Sequence, residues 1–244
     1  MPEYEGFFGE AVAARYDEGA EAMFRPEVVE PAVGLLTELA GDGRALEFAI
    51  GTGRIALPLA ARGVRVAGID DSEAMVARLR AKPGAEDIDV AIGDMATTWV
   101  EGEFSLVYLV FNTIFNLVTQ DSQVACFENA AAHLSSGGVF VIETEVPGLQ
   151  RLSLGQTIIP FRADPGGLGF DVYDVVTQRF SSQHYTFTED GVRATPVEFR
   201  YVWPAELDLM ARIAGMMLRD RWAGWKREQF TAVSRSHVSV YEKP

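Results

Sequence analysis

A chain of 244 residues, 48% hydrophobic and 23% charged, can fill one α/β domain with an elaboration but is short for two independent domains. Its 21 basic and 35 acidic residues give a net charge of −14, which argues against nucleic-acid phosphates or an anionic membrane as the main partner. The single cysteine, Cys126, excludes an intrachain disulfide; residues 1–10 lack a signal-peptide core and no apolar run is long enough to span a bilayer, so a cytoplasmic protein is expected.

Residues 3–22 place Tyr4, Phe7, Phe8, Val12 and Tyr16 among alanine and acidic positions, a spacing that predicts an amphipathic helix capping the core. Pro26 opens a second helix through Val29, Val33, Leu36 and Leu39, stopped by Gly41-Asp42-Gly43. Then comes Ala45-Leu46-Glu47-Phe48-Ala49-Ile50-Gly51-Thr52-Gly53-Arg54, an apolar run ending in a small-residue turn and passing into a helical pattern. Glycines there let backbone N–H groups approach a ligand closely, and the helix start that follows favours negative charge. Glu47 is out of place in a buried strand unless paired, and it stands where it could receive a cationic amino group. A second strand over 64–69 ends in Asp70, 19 residues past Gly51, where a ribose-binding carboxylate belongs.

Ser72 is a natural cap for the next helix, and Met75 in its first turn can pack on a flat ring or simply fill the core. Residues 88–92 read as strand three, followed by Gly93-Asp94-Met95, in which Asp94 could cap the turn after it. Residues 104–111 form a nearly continuous apolar run, as a central parallel strand requires. It ends at Phe111 and Asn112, where open α/β sheets bind ligands. A helix from Thr119 or Asp121 carries Cys126, read as buried and inert, and His133, read as a charge partner for the helix end; Ser135-Ser136-Gly137-Gly138 stops it. Strand five, 139–142, leads to Glu143 and Glu145. From about Thr157 to Trp203 the pattern becomes β-branched and aromatic: 171–180, 183–188 and 192–202 read as antiparallel strands broken by Ser181-Ser182 and Glu189-Asp190-Gly191. A helix from Pro204, a sixth strand over 216–222 and a last, antiparallel edge strand over 236–241 complete the sequence.

Residues 47–53, Gly68-Ile69-Asp70, Met75 and Gly93-Asp94-Met95 resemble the motifs of class I S-adenosylmethionine-dependent methyltransferases, with Ala49 in place of the first glycine of the loop. The resemblance implies a Rossmann-like, doubly wound α/β sheet of about seven strands with an antiparallel last strand. It implies one domain over 1–244, with a helical lid and cap over 1–43 and an antiparallel β insert over 155–203, between strands five and six. The layout of that insert is similar to bacterial amino-sugar N-methyltransferases. The cofactor implied is S-adenosyl-L-methionine, held by Tyr16, Glu47, Ala49, Gly51, Gly53, Asp70, Met75, Asp94, Met95 and Phe111. In this family Ala14-Arg15-Tyr16-Asp17 corresponds to a lid whose tyrosine closes over the methionine end. Asp94 would accept from the adenine amine, and the Met95 amide would meet a ring nitrogen.

The reaction implied is in-line methyl transfer to an N or O nucleophile of a small molecule, in which alignment and exclusion of water do most of the work. Asn112, Glu143 and His184 are the candidates for catalysis, with Glu145 as a further candidate base; His184 can equally be a solvent-facing strand residue. No metal cluster is read. A homodimer through the aromatic-rich insert is the assembly expected. Two other functions share the glycine loop and Asp70: a nicotinamide-dependent oxidoreductase, which lacks its third glycine at Leu57, and a non-catalytic ligand-binding protein on the same fold.

Overall fold

The computed structural model describes residues 8–244, so Tyr4 and Phe7 of the N-terminal segment lie outside the described residues. That segment is not one helix. It is α1 (Glu10–Ala13), α2 (Tyr16–Gly19) and a 3-10 turn (Glu21–Phe24), broken at Arg15, whose φ of −121° is not helical. Tertiary bonds override its helical spacing: the Ser72 hydroxyl donates to the Phe8 carbonyl, and the Thr52 hydroxyl to Asp17. Pro26 then opens α3 (Pro26–Ala40) at its first turn, where a missing N–H costs nothing.

The βα rhythm follows as β1 (Arg44–Phe48), α4 (Ala56–Ala61), β2 (Arg65–Asp70), α5 (Glu73–Arg80), β3 (Asp89–Ile92), β4 (Phe104–Leu109), α6 (Gln120–His133) and β5 (Leu134–Glu145). Ser72 caps α5 by accepting from the Met75 amide, and Thr119 and Ser122 form a capping box on α6. Strands β6 (Ile158–Asp164), β7 (Gly167–Asp174), β8 (Arg179–Thr188) and β9 (Gly191–Arg200) form a separate antiparallel sheet in that order. The chain then returns through α7 (Pro204–Ile213), β10 (Met217–Trp222) and β11 (Ser236–Glu242).

The main sheet has the order β10-β11-β5-β4-β1-β2-β3, with β1 to β5 parallel and β11 antiparallel to both neighbours. The last strand is therefore not at the edge. β11 carries buried Val238, Val240 and Tyr241 and sits inside the sheet, whereas β10, with Arg219, Asp220 and Arg221, takes the exposed edge. Helices cover both faces: Val33, Leu36 and Leu59 pack with Tyr108, Val141 and Val240, while Phe127 and Leu207 pack with Phe140 and Tyr241. The second core extends under the insert through Ile159, Tyr173, Phe180 and Tyr201.

Three further expectations are corrected. Ser135-Ser136-Gly137-Gly138 does not precede strand five but lies within it, because Gly137 and Gly138 exchange backbone bonds with Lys243. The insert has four strands, and its turn falls at 175–178, not at Ser181-Ser182. Asp174 makes that turn, accepting from the Val176 amide at 2.9 Å and the Thr177 hydroxyl at 2.6 Å, while Ser182 is buried opposite Asp171. His133 is no charge partner: burial lowers its pKa, and its Nε2 accepts from the Val100 amide at 2.9 Å. Cys126 is fully buried with its thiol pKa pushed up, as its reading requires. Among the described residues no helix is long and apolar enough to cross a membrane.

Candidate active site

The turn after β1 is built from left-handed backbone: φ is +53° at Ala49, +56° at Gly51 and +82° at Gly53. A side chain at Gly53 would also put its Cβ 2.4 Å from Leu79, so glycine lets the loop settle onto α5. At the end of neighbouring β2, Asp70 holds this loop. One carboxylate oxygen accepts the Gly51 amide at 2.7 Å and the other the Ser72 amide at 2.9 Å. Burial pushes its pKa up, and the Ser72 and Gly51 amides pull it back. A carboxylate has about four acceptor positions, so capacity for ligand hydroxyls remains.

Behind the loop, Glu47 is buried and accepts the Tyr108 hydroxyl at 2.9 Å, from the residue that pairs with it on β4. No ion pair reaches it among the described residues, and burial pushes its pKa up to about 8, with Tyr108, Arg54 and the Ala56 amide opposing. The strand position was legible; the neutral, hydrogen-bonded acid was not. Glu47 backs the cleft and does not line it.

The cleft has a volume of about 230 Å³. Seven of the expected cofactor residues line it together: Tyr16, Ala49, Gly51, Asp70, Met75, Asp94 and Met95. Asp94 caps its own turn through the Ala96 amide at 2.8 Å and also lines the cleft. Sequence reasoning missed Asp71, Thr113 and Leu117. Asp71 stands just before the Ser72 cap, and burial and the nearby Asp94 raise its pKa. Phe8 and Tyr16, in edge-to-face contact at 6.2 Å, close the cleft from the N-terminal side, and burial raises the Tyr16 pKa against the pull of Arg54.

Past the end of β4, Phe111 and Asn112 take consecutive left-handed conformations, φ +62° and +59°. The Asn112 side-chain oxygen accepts the Glu145 amide at 2.6 Å, and the Glu143 carboxylate accepts the Phe111 amide at 3.0 Å and the Trp225 indole N–H at 2.7 Å. The Arg54 guanidinium lies 4.9 Å from the centre of the exposed Phe111 ring. Neither Asn112 nor Glu143 lines the cleft, though Thr113 next to Asn112 does, and both are already engaged. His184 is not brought there: it is exposed on β8, 3.2 Å from the Ser182 hydroxyl and beside Phe161. Glu145, by contrast, has no hydrogen-bond or ion-pair partner for its carboxylate among the described residues. Glu145 is exposed at the end of β5, and its pKa is raised by loss of solvation and then by Asp171 of β7.

A carboxylate with spare acceptors, a loop of close-approach glycines and a wall of Met75, Met95 and Leu117 suit a ligand with vicinal hydroxyls and a flat ring. Among the described residues no group of three or more His, Cys, Asp or Glu side chains could hold a metal ion.

Comparison with known proteins agrees with this geometry. A family model described as a methyltransferase domain matches residues 45–138. The chain is 28% identical over 242 residues to the cypemycin N-terminal methyltransferase of a Streptomyces species, covering 93% of this chain and 97% of that protein. Among solved structures, the CcbJ methyltransferase from Streptomyces caelestis is 37% identical with a TM-score of 0.84, over 97% of each chain. The S-adenosylmethionine-bound amino pentose methyltransferase CalS10 from Micromonospora echinaspora superposes with a TM-score of 0.70 at 21% identity, over 99% of this chain and 100% of that one.

Proposed function

We propose, from the premise that this chain belongs to the S-adenosylmethionine-dependent methyltransferases, that its acceptor is an amine of a small molecule. When bound, the cofactor supplies an electrophilic methyl group on a sulfonium. The residues available to hold it are Asp70 for the ribose hydroxyls, Met75, Asp94 and Met95 around the adenine, the 49–53 loop, and Tyr16 over the methionine end. Glu47, the buried acid behind the loop, would take up negative charge only with the cofactor's ammonium beside it.

The observation that carries the amine reading is the pair Glu145 and Asp171. Asp171 of the insert acts electrostatically on Glu145 at the end of β5, adding to the rise in its pKa, and the Glu145 carboxylate has no hydrogen-bond or ion-pair partner among the described residues. His184 is the one basic group acting on Asp171, and none acts on Glu145. A protonated amine relieves that repulsion, and Glu145 can then take its proton and leave the nitrogen lone pair free. Asn112 and Glu143 hold the strained turn after β4 in place beside it. The acceptor would lie over the carboxyl ends of β4 and β5, with the insert as its roof; a homodimer through the insert's outer face would keep that roof down.

The names of two similar proteins support the reading: one is a cypemycin N-terminal methyltransferase and the other an amino pentose methyltransferase. The test is methyl transfer from labelled cofactor to an amino sugar and to the same sugar carrying hydroxyl in place of the amine. Label on the amine alone is expected. Label on the hydroxyl compound alone would overturn the reading.

A further inference from the structure

Asp17 joins two elements that are far apart in sequence. One oxygen accepts the Thr52 hydroxyl at 2.6 Å; the other lies 2.5 Å from the Lys82 ammonium, which also donates to the Thr52 carbonyl at 2.8 Å. Thr52 is buried at the centre of the glycine loop, between the two left-handed glycines. Asp17 follows Tyr16 on a helix of four residues that buries no side chain fully, so α2 has little packing of its own to fix it. Lys82 is also placed over the Phe24 ring, 5.4 Å from its centre, so one ammonium meets the N-terminal segment twice.

We infer that Asp17 is a positioning residue for the cofactor. By clasping Thr52 and Lys82 it fixes Tyr16 over the cleft and couples the N-terminal segment to the glycine loop. The two bonds differ in character. Thr52 is buried and its bond is shielded, while the Asp17–Lys82 pair is part-exposed, with side-chain exposures of 40% and 28%, and is open to salt screening. The loop and the lid would therefore release together when the clasp opens, and cofactor residence time would respond to ionic strength. This inference rests on the cleft being the cofactor site. If wild-type protein does not bind S-adenosylhomocysteine, that site assignment fails and not the clasp.

The experiment compares wild type, Asp17→Ala, Asp17→Asn and Lys82→Met. It measures the S-adenosylhomocysteine dissociation rate by stopped flow at low and high salt, and amide exchange in the ligand-free proteins. Asp17→Ala should release the product about tenfold faster, the scale of losing a charge-assisted bond with some solvent screening. Exchange should rise in 9–20 and not in β1 or β2. Asp17→Asn keeps an acceptor for Thr52 and should fall between Ala and wild type. Lys82→Met should be faster than wild type and lose the salt dependence. The inference is overturned if release stays within twofold of wild type in Asp17→Ala, or if exchange rises equally through β1 and β2. Should Asp17→Ala not fold, salt-dependent release in Lys82→Met equal to that of wild type overturns it.

Discussion

Trp225 donates its indole N–H to Glu143 across 82 positions of sequence, and the other oxygen of the same carboxylate takes the Phe111 amide. One acid thereby ties the loop after β10 to the strained end of β4. Trp225→Phe should lower methyl transfer several-fold, for about 1 kcal/mol of a part-exposed charged hydrogen bond, with little change in S-adenosylhomocysteine affinity. Asn112→Ala and Glu143→Ala should lower it further, since each also removes an acceptor from a backbone amide. Turnover measured beside calorimetric affinity checks this; near-normal transfer in all three variants would place the acceptor elsewhere.

Asp70 binds two backbone amides before any ligand arrives, so its removal has two consequences. Asp70→Ala should weaken S-adenosylhomocysteine binding roughly 10- to 150-fold, from about 1.5–3 kcal/mol of lost bonds to a charged acceptor. It should also lower the unfolding midpoint, because the Gly51 and Ser72 amides lose their partner. A variant with unchanged affinity and an intact fold would remove Asp70 from the ribose role.

Two buried groups set opposite pH dependences. His237 is fully enclosed; burial, then Arg221, lowers its pKa to about 4. Between about 4 and 6.5 the unfolded chain binds the extra proton, so stability should fall by about 3 kcal/mol as pH drops through that window. Glu47 is the reverse. Its pKa is raised to about 8, so the folded chain holds the extra proton, and stability should decline as pH rises from about 4.5 to 8. Denaturant titrations across pH on wild type and Glu47→Gln separate them: the variant should lose the alkaline decline and keep the acid one.

Ala49 occupies a left-handed position, φ +53°, where its Cβ is strained. Ala49→Gly should raise stability by about 1 kcal/mol, or roughly 2–4 °C in midpoint, after the extra freedom of glycine in the unfolded chain is counted. A lower midpoint would show that the methyl group contributes packing that outweighs the strain.

Local chemistry explains what could be read in advance. The 45–54 loop, Asp70, Met75 and Asp94 are adjacent in sequence to the strands that position them, so residue type and spacing carry the information. What escaped depends on distant partners. Ser135-Ser136-Gly137-Gly138 has the composition of a stop signal, yet Lys243 draws it into β5. The turn at 175–178 has no glycine or proline; Asp174 and a left-handed Gln178 make it. Trp225 carries no local sign that its indole reaches Glu143. His184 lies off the cleft lining for a related reason: alternation places it on a strand face but does not say how far along the insert the cleft extends.

The interior place of β11 bears on how the sheet is assembled during synthesis. β10 leaves the ribosome before its only neighbour in the main sheet exists, and β5 has waited with one edge bare since residue 145. Until 236–242 emerge and slide between them, both strands offer unpaired backbone to any extended segment nearby. A ribosome stalled in the 223–235 loop would therefore hold a nascent chain with a complete cofactor loop and an open half-sheet, a species for chaperones to shield.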